Sequence, residues 1–165
     1  MIRRAEEKDI KRICALLRQI LTLHADGRPD IFKPNSQKYS EAEISILIGN
    51  DLTPVFVYED ETGLVLGYAF CVWQKTEPTA TLWERLELYI DDLCVDESAR
   101  GKGIGTKLMQ HVMKEAEKAH AHSVTLNAWT LNPEAIAFYE KCGMQPRKLL
   151  MEYRLGDERN AEKDE

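Results

Sequence analysis

The glycine-rich stretch from Val95 to Thr106 has the composition of a phosphate-binding loop. Gly101, Gly103 and Gly105 follow an apolar, β-branched segment and precede an amphipathic helical pattern. Glycines allow a tight turn with bare N–H groups, and a helix N-terminus adds partial positive charge, so such a loop suits a phosphate-bearing ligand. The spacing matches neither the dinucleotide fingerprint, which needs a glycine at Thr106, nor a Walker A loop. A simple flexible turn is the alternative, but it would not require three alternating glycines.

An acidic pair, Asp91 and Asp92, lies upstream of the glycines in a strand that we predict from about Glu84 to Val95. Apolar and polar residues alternate from Leu86 to Ile90, but beyond the pair the large apolar residues fall one position out of phase. A one-residue slip is what a β-bulge produces, and bulges often lie beside active sites. The alternative is a strand that is buried on both faces. We predict a bulge near the acidic pair.

The rest of the chain predicts the elements that would position these residues. Apolar periodicity, a capping box at Ser40 and Glu43, and a cap at Asn132 followed by Pro133 indicate an α/β chain of order β-α-α-β-β-β-α-β-α-β. The predicted strands are Ile2 to Ala5, Pro54 to Tyr58, Leu64 to Trp73, Glu84 to Val95, Ser123 to Asn127 and Lys148 to Tyr153. The first helix is expected to end near Leu23, where a loop containing His24 begins.

Length and composition place limits on the class of protein. The 165 residues, 44% of them hydrophobic, fit one domain over residues 1–155, and residues 156–165 read as a disordered acidic tail. A net charge of -6 argues against a nucleic-acid-binding surface. The four separated cysteines lack a C-x-x-C pair, and neither a signal peptide nor a membrane span is visible, so we expect free thiols and a cytoplasmic location.

Two segments resemble motifs of the GCN5-related N-acetyltransferase (GNAT) superfamily. Arg100 to Gly105 matches its R/Q-x-x-G-x-G/A acetyl-CoA loop, and Asn132 to Met144 is similar to its N-x-x-A-x-x-F-Y-x-x-x-G-F/M helix. The likeness in layout extends from Ile2 to about Tyr153. Within the superfamily, Leu88 to Val95 is similar to the corresponding strand of diamine (spermidine/spermine) acetyltransferases, which carry an acidic pair there.

The resemblance implies a GNAT fold, with a mixed, strongly twisted sheet of about six to seven strands, about four helices, and a splay between the fourth and fifth strands. Acetyl-CoA would be the co-substrate, without a metal, and its pyrophosphate would bind the backbone amides of the glycine loop. The residues that the resemblance assigns to acetyl-CoA binding are Leu93, Cys94, Val95, Arg100, Gly101, Lys102, Gly103, Ile104, Gly105, Thr106, Asn132, Ala135 and Phe138.

The catalytic roles also follow from the resemblance. Tyr139 matches the tyrosine that protonates the departing thiolate, and Asp91 or Asp92 would take the proton of the amine, directly or through water, with Glu87 as a further candidate. A backbone N–H of Leu93, Cys94 or Val95 would stabilise the oxyanion. The alternatives are a core aromatic at Tyr139 and ordinary edge charges at the acidic pair. Structural or solvated roles are expected for His24, His120 and His122, and a small buried role for Cys94.

The sequence therefore predicts an acetyl-CoA-dependent N-acetyltransferase that acts by direct transfer in a ternary complex. Acidic residues near the acceptor site favour a small cationic amine, such as a polyamine or a lysine-like amine. A peptide or protein N-acetyltransferase is one alternative, and a noncatalytic acyl-CoA-binding regulatory domain is another. By resemblance we also expect a homodimer, with Arg147 to Tyr153 as a candidate strand at its interface.

Overall fold

One mixed sheet organises the fold. A computed structural model of the chain describes residues 1–33 and 38–155, with the backbone alone for residues 20–26. Within these residues the sheet has five strands in chain order, which are β1 (Ile2–Arg4), β2 (Val55–Glu59), β3 (Val65–Thr76), β4 (Arg85–Val95) and β5 (Ser123–Leu126). The first three pairings are antiparallel, and β4 pairs with β5 in parallel. A parallel pair needs a crossover, and helix α3 (Ile104–Lys118) lies within it.

The helices begin at residues with clear capping signals. The other helices of the described chain are α1 (Ile10–Gly27), α2 (Glu41–Ile48) and α4 (Pro133–Lys141). At α2 the predicted capping box is present, because Ser40 Oγ accepts from the Glu43 N–H at 3.2 Å and a Glu43 carboxylate oxygen accepts from the Ser40 N–H at 2.7 Å. At α4 the Asn132 Oδ1 accepts from the Ala135 N–H at 3.1 Å. Both predicted helix starts are confirmed.

The sheet separates two layers of helices. One face of β2 and β3 is covered by α1 and α2, through a buried cluster that contains Ile13, Leu16, Leu17, Ile44, Val57, Tyr68 and Phe70. The opposite face packs against α3, and α4 adds partly buried side chains to the cluster of Phe56, Ala69, Leu88, Ile90, Met109 and Val112. The alternation of side chains along each strand explains why neighbouring residues enter different clusters.

Two predictions about the elements are wrong. The sheet has five strands in the described chain instead of six to seven, because Lys148 to Tyr153 forms no strand. A strand needs a neighbour for its backbone groups, and no strand of the described chain pairs with this segment. Helix α1 continues to Gly27 because His24 to Asp26 contain no helix breaker, so His24 lies in a helix, although its side chain is outside what is described. The predicted disordered tail also lies outside the described residues.

Cysteine chemistry agrees with the expectation from the sequence. Cys14, Cys71, Cys94 and Cys142 are free thiols, and the first three are buried. Of the helices described, none combines the length and the apolar character needed to cross a membrane.

Candidate functional site

A β-bulge interrupts β4 at the acidic pair. Asp92 pairs with Phe70 and Ile90 pairs with Cys71, so Asp91 has no residue opposite it on β3. The predicted bulge is therefore confirmed and centres on Asp91. Because an extra residue bends the strand and disrupts the ladder, the bulge turns the backbone and the two carboxylates away from a regular arrangement.

The sheet opens at the same point. The parallel pairing of β4 with β5 begins at Glu87 and Ser123 and ends at Ile90 and Leu126. Strand β4 continues to Val95 with β3 as its remaining partner in the described chain. The pairing thus ends one residue before the acidic pair, where β5 itself ends, and a splay between the fourth and fifth strands stays a prediction. The backbone of Leu93, Cys94 and Val95 borders this opening, which we call the β4–β5 cleft.

Asp92, the residue after the bulge, has a carboxyl group whose surroundings perturb its pKa. Burial raises the pKa of its carboxyl above the ordinary value, the charge of Asp91 adds to that effect, and the charge of Lys38 opposes it. The hydroxyl of the fully buried Tyr68 lies 3.3 Å from Asp92 Oδ2 and can donate to it. A carboxylate whose pKa is raised toward neutrality is a better proton acceptor than an ordinary aspartate.

Tyr139, in the other layer, is close enough to Asp92 for their charges to interact. It lies on α4 and is partly buried against the cluster between the sheet and α3. Its ring packs against that of Phe138, with the ring centroids 5.2 Å apart. Burial, with a contribution from the charge of Asp92, raises the pKa of Tyr139 to about 12. The phenol therefore keeps its proton at neutral pH. A protonated phenol near a carboxylate with a raised pKa is a suitable acid and base pair for proton transfer.

Asp91, the other member of the pair, is held by residues that the sequence analysis did not assign to the site. Lys38 Nζ lies 3.0 Å from Asp91 Oδ2, and the Tyr39 hydroxyl donates to the same oxygen. The available signal was the position of Tyr39 directly before the Ser40 cap, where an apolar residue often packs against the first turns of the helix. Tyr39 does pack against the buried cluster between the sheet and helices α1 and α2, and its ring stacks on that of Phe70 with the centroids 5.4 Å apart.

The glycine loop connects the end of β4 to α3. Gly101 and Gly103 both have φ of +76°, and a Cβ at either position would enter open space. In the described chain, the main-chain bonds outside regular elements leave the N–H groups of residues 101 to 106 without a carbonyl acceptor. Free N–H groups, a helix N-terminus and open space at the glycines fit a pyrophosphate. The geometry therefore agrees with acetyl-CoA as the ligand of this loop.

Neighbouring side chains fix this loop and link it to α4. Asp96 accepts hydrogen bonds from Arg12 Nη2 at 2.5 Å and from the Ser98 N–H at 2.9 Å, which anchors the start of the loop to α1. A Cβ on Gly105 would lie 3.1 Å from the Phe138 ring. The two motifs found in the sequence are therefore in direct contact.

The other candidates have structural roles. Glu87 is the nearest rival base, but it accepts from Ser123 Oγ at 2.7 Å and pairs with Arg147 at 2.6 Å, and these contacts outweigh burial and lower its pKa. His122 Nδ1 accepts from the Leu86 N–H at 3.1 Å. Burial raises the pKa of the Cys94 thiol to about 12, so it stays protonated, as a small core residue would.

The segment that follows α1 contacts the segment that follows β5. The Phe32 ring meets the Trp129 ring edge to face at 5.2 Å, and a Cβ on Gly27 would lie 3.5 Å from Leu131. Asn132, which begins α4, lies next to this contact, and its Oδ1 is engaged in the cap.

Comparisons with known proteins agree with this geometry. The sequence profile of the Acetyltransferase (GNAT) family matches residues 17–144. Glucosamine 6-phosphate N-acetyltransferase 1 of Oryza sativa subsp. japonica is 30% identical over 63 residues, which are 38% of this chain and 36% of that protein. N-alpha-acetyltransferase 30 of Saccharomyces cerevisiae is 29% identical over 87 residues, which are 53% of this chain and 48% of that protein. The alignments with the curated relatives that match first thus span about a third of the length of those proteins.

A solved structure matches nearly the whole chain. The crystal structure of a mutant BH1408 protein from Bacillus halodurans superposes with a TM-score of 0.91 at 29% identity, and the match covers 94% of this chain and 99% of that one. The proteins named here do not include a diamine acetyltransferase, and that likeness stays a prediction.

Proposed function

Because the chain belongs to the acetyltransferase (GNAT) family, we propose that it transfers the acetyl group of acetyl-CoA to a primary amine of a small cationic acceptor, such as a polyamine or a lysine-like amine. The observation that carries this proposal is the electrostatic interaction between Asp92, next to the bulge, and Tyr139 on α4: burial raises the pKa of Asp92, and burial and the charge of Asp92 raise the pKa of Tyr139. Family members use acetyl-CoA, and the glycine loop fits its pyrophosphate.

Different residues of the chain carry out different steps of the acetyl transfer. The glycine loop holds the phosphates, and Asn132 keeps its side-chain N–H groups available for the pantetheine arm. Bound acetyl-CoA supplies an activated acetyl group to the cleft. Asp92 accepts a proton from the acceptor ammonium, because an amine is nucleophilic only when it is neutral, and Tyr139 donates a proton to the leaving sulfur. A backbone N–H of Leu93, Cys94 or Val95, beside the bulge, would stabilise negative charge on the carbonyl oxygen.

A cationic acceptor is supported by the charges around the cleft. Asp91 and Asp92 are consecutive residues at the bulge, and the hydroxyl of Tyr39, whose ring stacks on Phe70, donates to Asp91. Carboxylates and aromatic faces both attract cations. The yeast relative, which is named an N-alpha-acetyltransferase, keeps a peptide or protein N-terminus as the second candidate acceptor.

The free cysteines support a reducing, cytoplasmic location.

Acetyl-CoA is expected to protect the protein against heat. At a hundredfold excess over Kd, a ligand that binds the folded state should raise Tm by roughly 5 to 10 °C. Gly103→Ala should lose most of this shift, because the new Cβ strains a left-handed residue and enters the space proposed for phosphate. The matched control is Gly63→Ala, whose φ of +85° and open surroundings are similar but which lies in a remote turn.

Differential scanning fluorimetry of the three proteins gives the result. Both variants should lose about 1 kcal/mol of stability from backbone strain, yet Gly63→Ala should keep the full shift with acetyl-CoA. If wild-type protein showed no shift, both the transferase and the noncatalytic acyl-CoA-binding alternative would fail. A shift without acetyl transfer to a screen of polyamines, amino acids, aminoglycosides and peptides would favour the noncatalytic alternative.

We also propose that the chain forms a homodimer through its C-terminal segment, residues 147–155. The ends of this segment are tied to the body by the ion pairs of Arg147 with Glu87 and of Glu152 with Arg28. Between and beyond them, large apolar side chains are exposed: Leu149, Leu150, Met151, Tyr153 and Leu155. The outer edge of β5 has no partner strand in the described chain. A second copy that supplied a strand there would cover both surfaces.

Leu150→Lys is expected to convert the dimer to a monomer, because it places a charge on a side chain that is 95% exposed in the single chain. Size-exclusion chromatography with light scattering measures the change. Leu64→Lys is the matched control, since Leu64 is also exposed but lies in the β2–β3 turn, and it should leave the mass unchanged. A wild-type protein that is monomeric at micromolar concentration would contradict the proposal.

A further inference from the structure

The ammonium group of Lys38 is held by the bulge of β4. Lys38 Nζ lies 3.0 Å from Asp91 Oδ2 and donates to the main-chain carbonyl oxygen of Asp91 at 3.0 Å. It also lies over the Tyr39 ring, 5.5 Å from the centroid. A carboxylate, a carbonyl and an aromatic face thus surround one primary ammonium. We call these three groups the ammonium cradle.

The cradle is formed by groups that stay in place without Lys38. Asp91 has no residue opposite it on β3, so the bulge leaves its backbone outside the regular ladder. The Tyr39 ring is fixed by its stacking on Phe70 and by the hydrogen bond from its hydroxyl to the Asp91 carboxylate. Each of these contacts is independent of the lysine side chain. Removal of that side chain therefore leaves a site with two oxygen acceptors and a π face for a cation.

The lysine that fills the cradle is not part of a regular element. Lys38 precedes the Ser40 cap of α2, and its side chain is 34% exposed. Ion pairs with this degree of exposure are weak, so the ammonium can leave the cradle without disturbing the core. The charge of Lys38 also reaches Asp92, whose pKa it lowers. The cradle is therefore adjacent to the group that we assign as the base.

We propose that the ammonium cradle is a binding site for the primary alkylammonium group of an external ligand, and that Lys38 is its internal occupant, which the ligand must displace. This inference rests on the proposed function and deepens it, because it gives the position of an ammonium-binding site and names Lys38 as a residue that sets specificity. A ligand must replace every contact that Lys38 makes, so an ammonium with three N–H donors fits, and a quaternary ammonium does not.

The internal occupant weakens binding by a predictable factor. If Lys38 fills the cradle in most molecules, the apparent Kd of an external ammonium is the intrinsic Kd divided by the vacant fraction, so vacancy in one molecule in five to ten weakens binding about five- to tenfold. Removing the lysine side chain should increase the apparent affinity for the external ammonium by that factor. Removing the carboxylate charge should abolish the site with or without the lysine.

Binding of propylammonium chloride to the full-length chain tests the proposal without acetyl-CoA. Amide NMR titrations of wild type, Lys38→Ala, Lys38→Ala with Asp91→Asn, and the exposed-lysine control Lys114→Ala provide the affinities. Lys38→Ala should bind about five- to tenfold more tightly than wild type and Lys114→Ala, with shifts centred on Asp91. The double variant should not bind, and tetramethylammonium should not bind to any of the four.

Two results would overturn the proposal: equal affinity of wild type and Lys38→Ala, or tight binding that persists in the double variant. The thermal shift with acetyl-CoA is measured separately on the same proteins. A shift with acetyl-CoA but no gain in propylammonium binding would refute the cradle and leave the transferase proposal standing. A gain in propylammonium binding without a shift would establish an amine site and refute the transferase proposal.

Discussion

Tyr139→Phe is expected to lower kcat at least about a hundredfold while leaving the Kd of acetyl-CoA within about twofold of wild type. The phenol keeps its proton at neutral pH because its pKa is raised to about 12, so it can donate to the leaving sulfur. Phenylalanine preserves the ring and its packing on Phe138 but removes that proton. Steady-state kinetics with the acceptor found by the screen, together with calorimetric titration of acetyl-CoA, separates the two quantities.

Tyr58→Phe is the matched control for this experiment. Tyr58 is also partly buried, but it lies in β2, and phenylalanine would keep its packing against Ile104 and Leu108 and its contact with Lys107. Its replacement should leave both kcat and cofactor affinity unchanged. Equal rates for Tyr139→Phe and wild type would show that Tyr139 has no part in the mechanism and is only an aromatic residue packed against the cluster between the sheet and α3.

Asp92→Asn should lower kcat/KM by at least about a hundredfold and remove the acidic limb of its pH profile. In wild type, kcat/KM should rise with pH through the raised pKa of Asp92, because the carboxylate form accepts the proton. The amide cannot accept it at any pH. Asp91→Asn is the informative comparison, since Asp91 pairs with Lys38 and should affect acceptor binding more than the pH profile.

The same substitution should increase the stability of the folded protein at neutral pH. The folded-state pKa of Asp92 lies above the ordinary value, so its contribution to stability is present in full below the unfolded-state pKa and is lost as pH rises through the folded-state pKa. Chemical denaturation at two pH values should therefore show that the free energy of unfolding of Asp92→Asn, relative to that of wild type, increases with pH. A variant that is less stable than wild type at every pH, with an unchanged pH profile of activity, would contradict the role of Asp92.

Much of the site could be predicted because it depends on local signals. The bulge was visible as a one-residue phase slip around Asp91, and the helix starts at Ser40 and Asn132 were visible as caps, since both features are fixed by neighbours in sequence. The glycine loop and Tyr139 followed from motif spacing. The contact of Gly105 with Phe138 explains why the two motifs form one site.

The features that were missed depend on partners distant in sequence. Lys38 and Tyr39 reach Asp91 across more than fifty residues, and no periodicity near residue 38 indicates a role in the site. The buried Tyr68 reads as an ordinary strand residue until its hydroxyl is seen beside Asp92. Conversely, a strand was predicted from Lys148 to Tyr153, but a strand also needs a neighbour, which the segment's own sequence cannot supply.

The end of the β4–β5 pairing at Ile90 also has a consequence for folding. Strands β2, β3 and β4 are joined by consecutive hairpins, whereas β5 reaches β4 through the α3 crossover. Pairings that close long loops form late and contribute least to the early nucleus. The cleft therefore lies at the boundary between the β2–β4 meander, which we expect to fold early, and the C-terminal part with β5, which we expect to dock late. A ligand that bound both parts would join them and make their unfolding more cooperative.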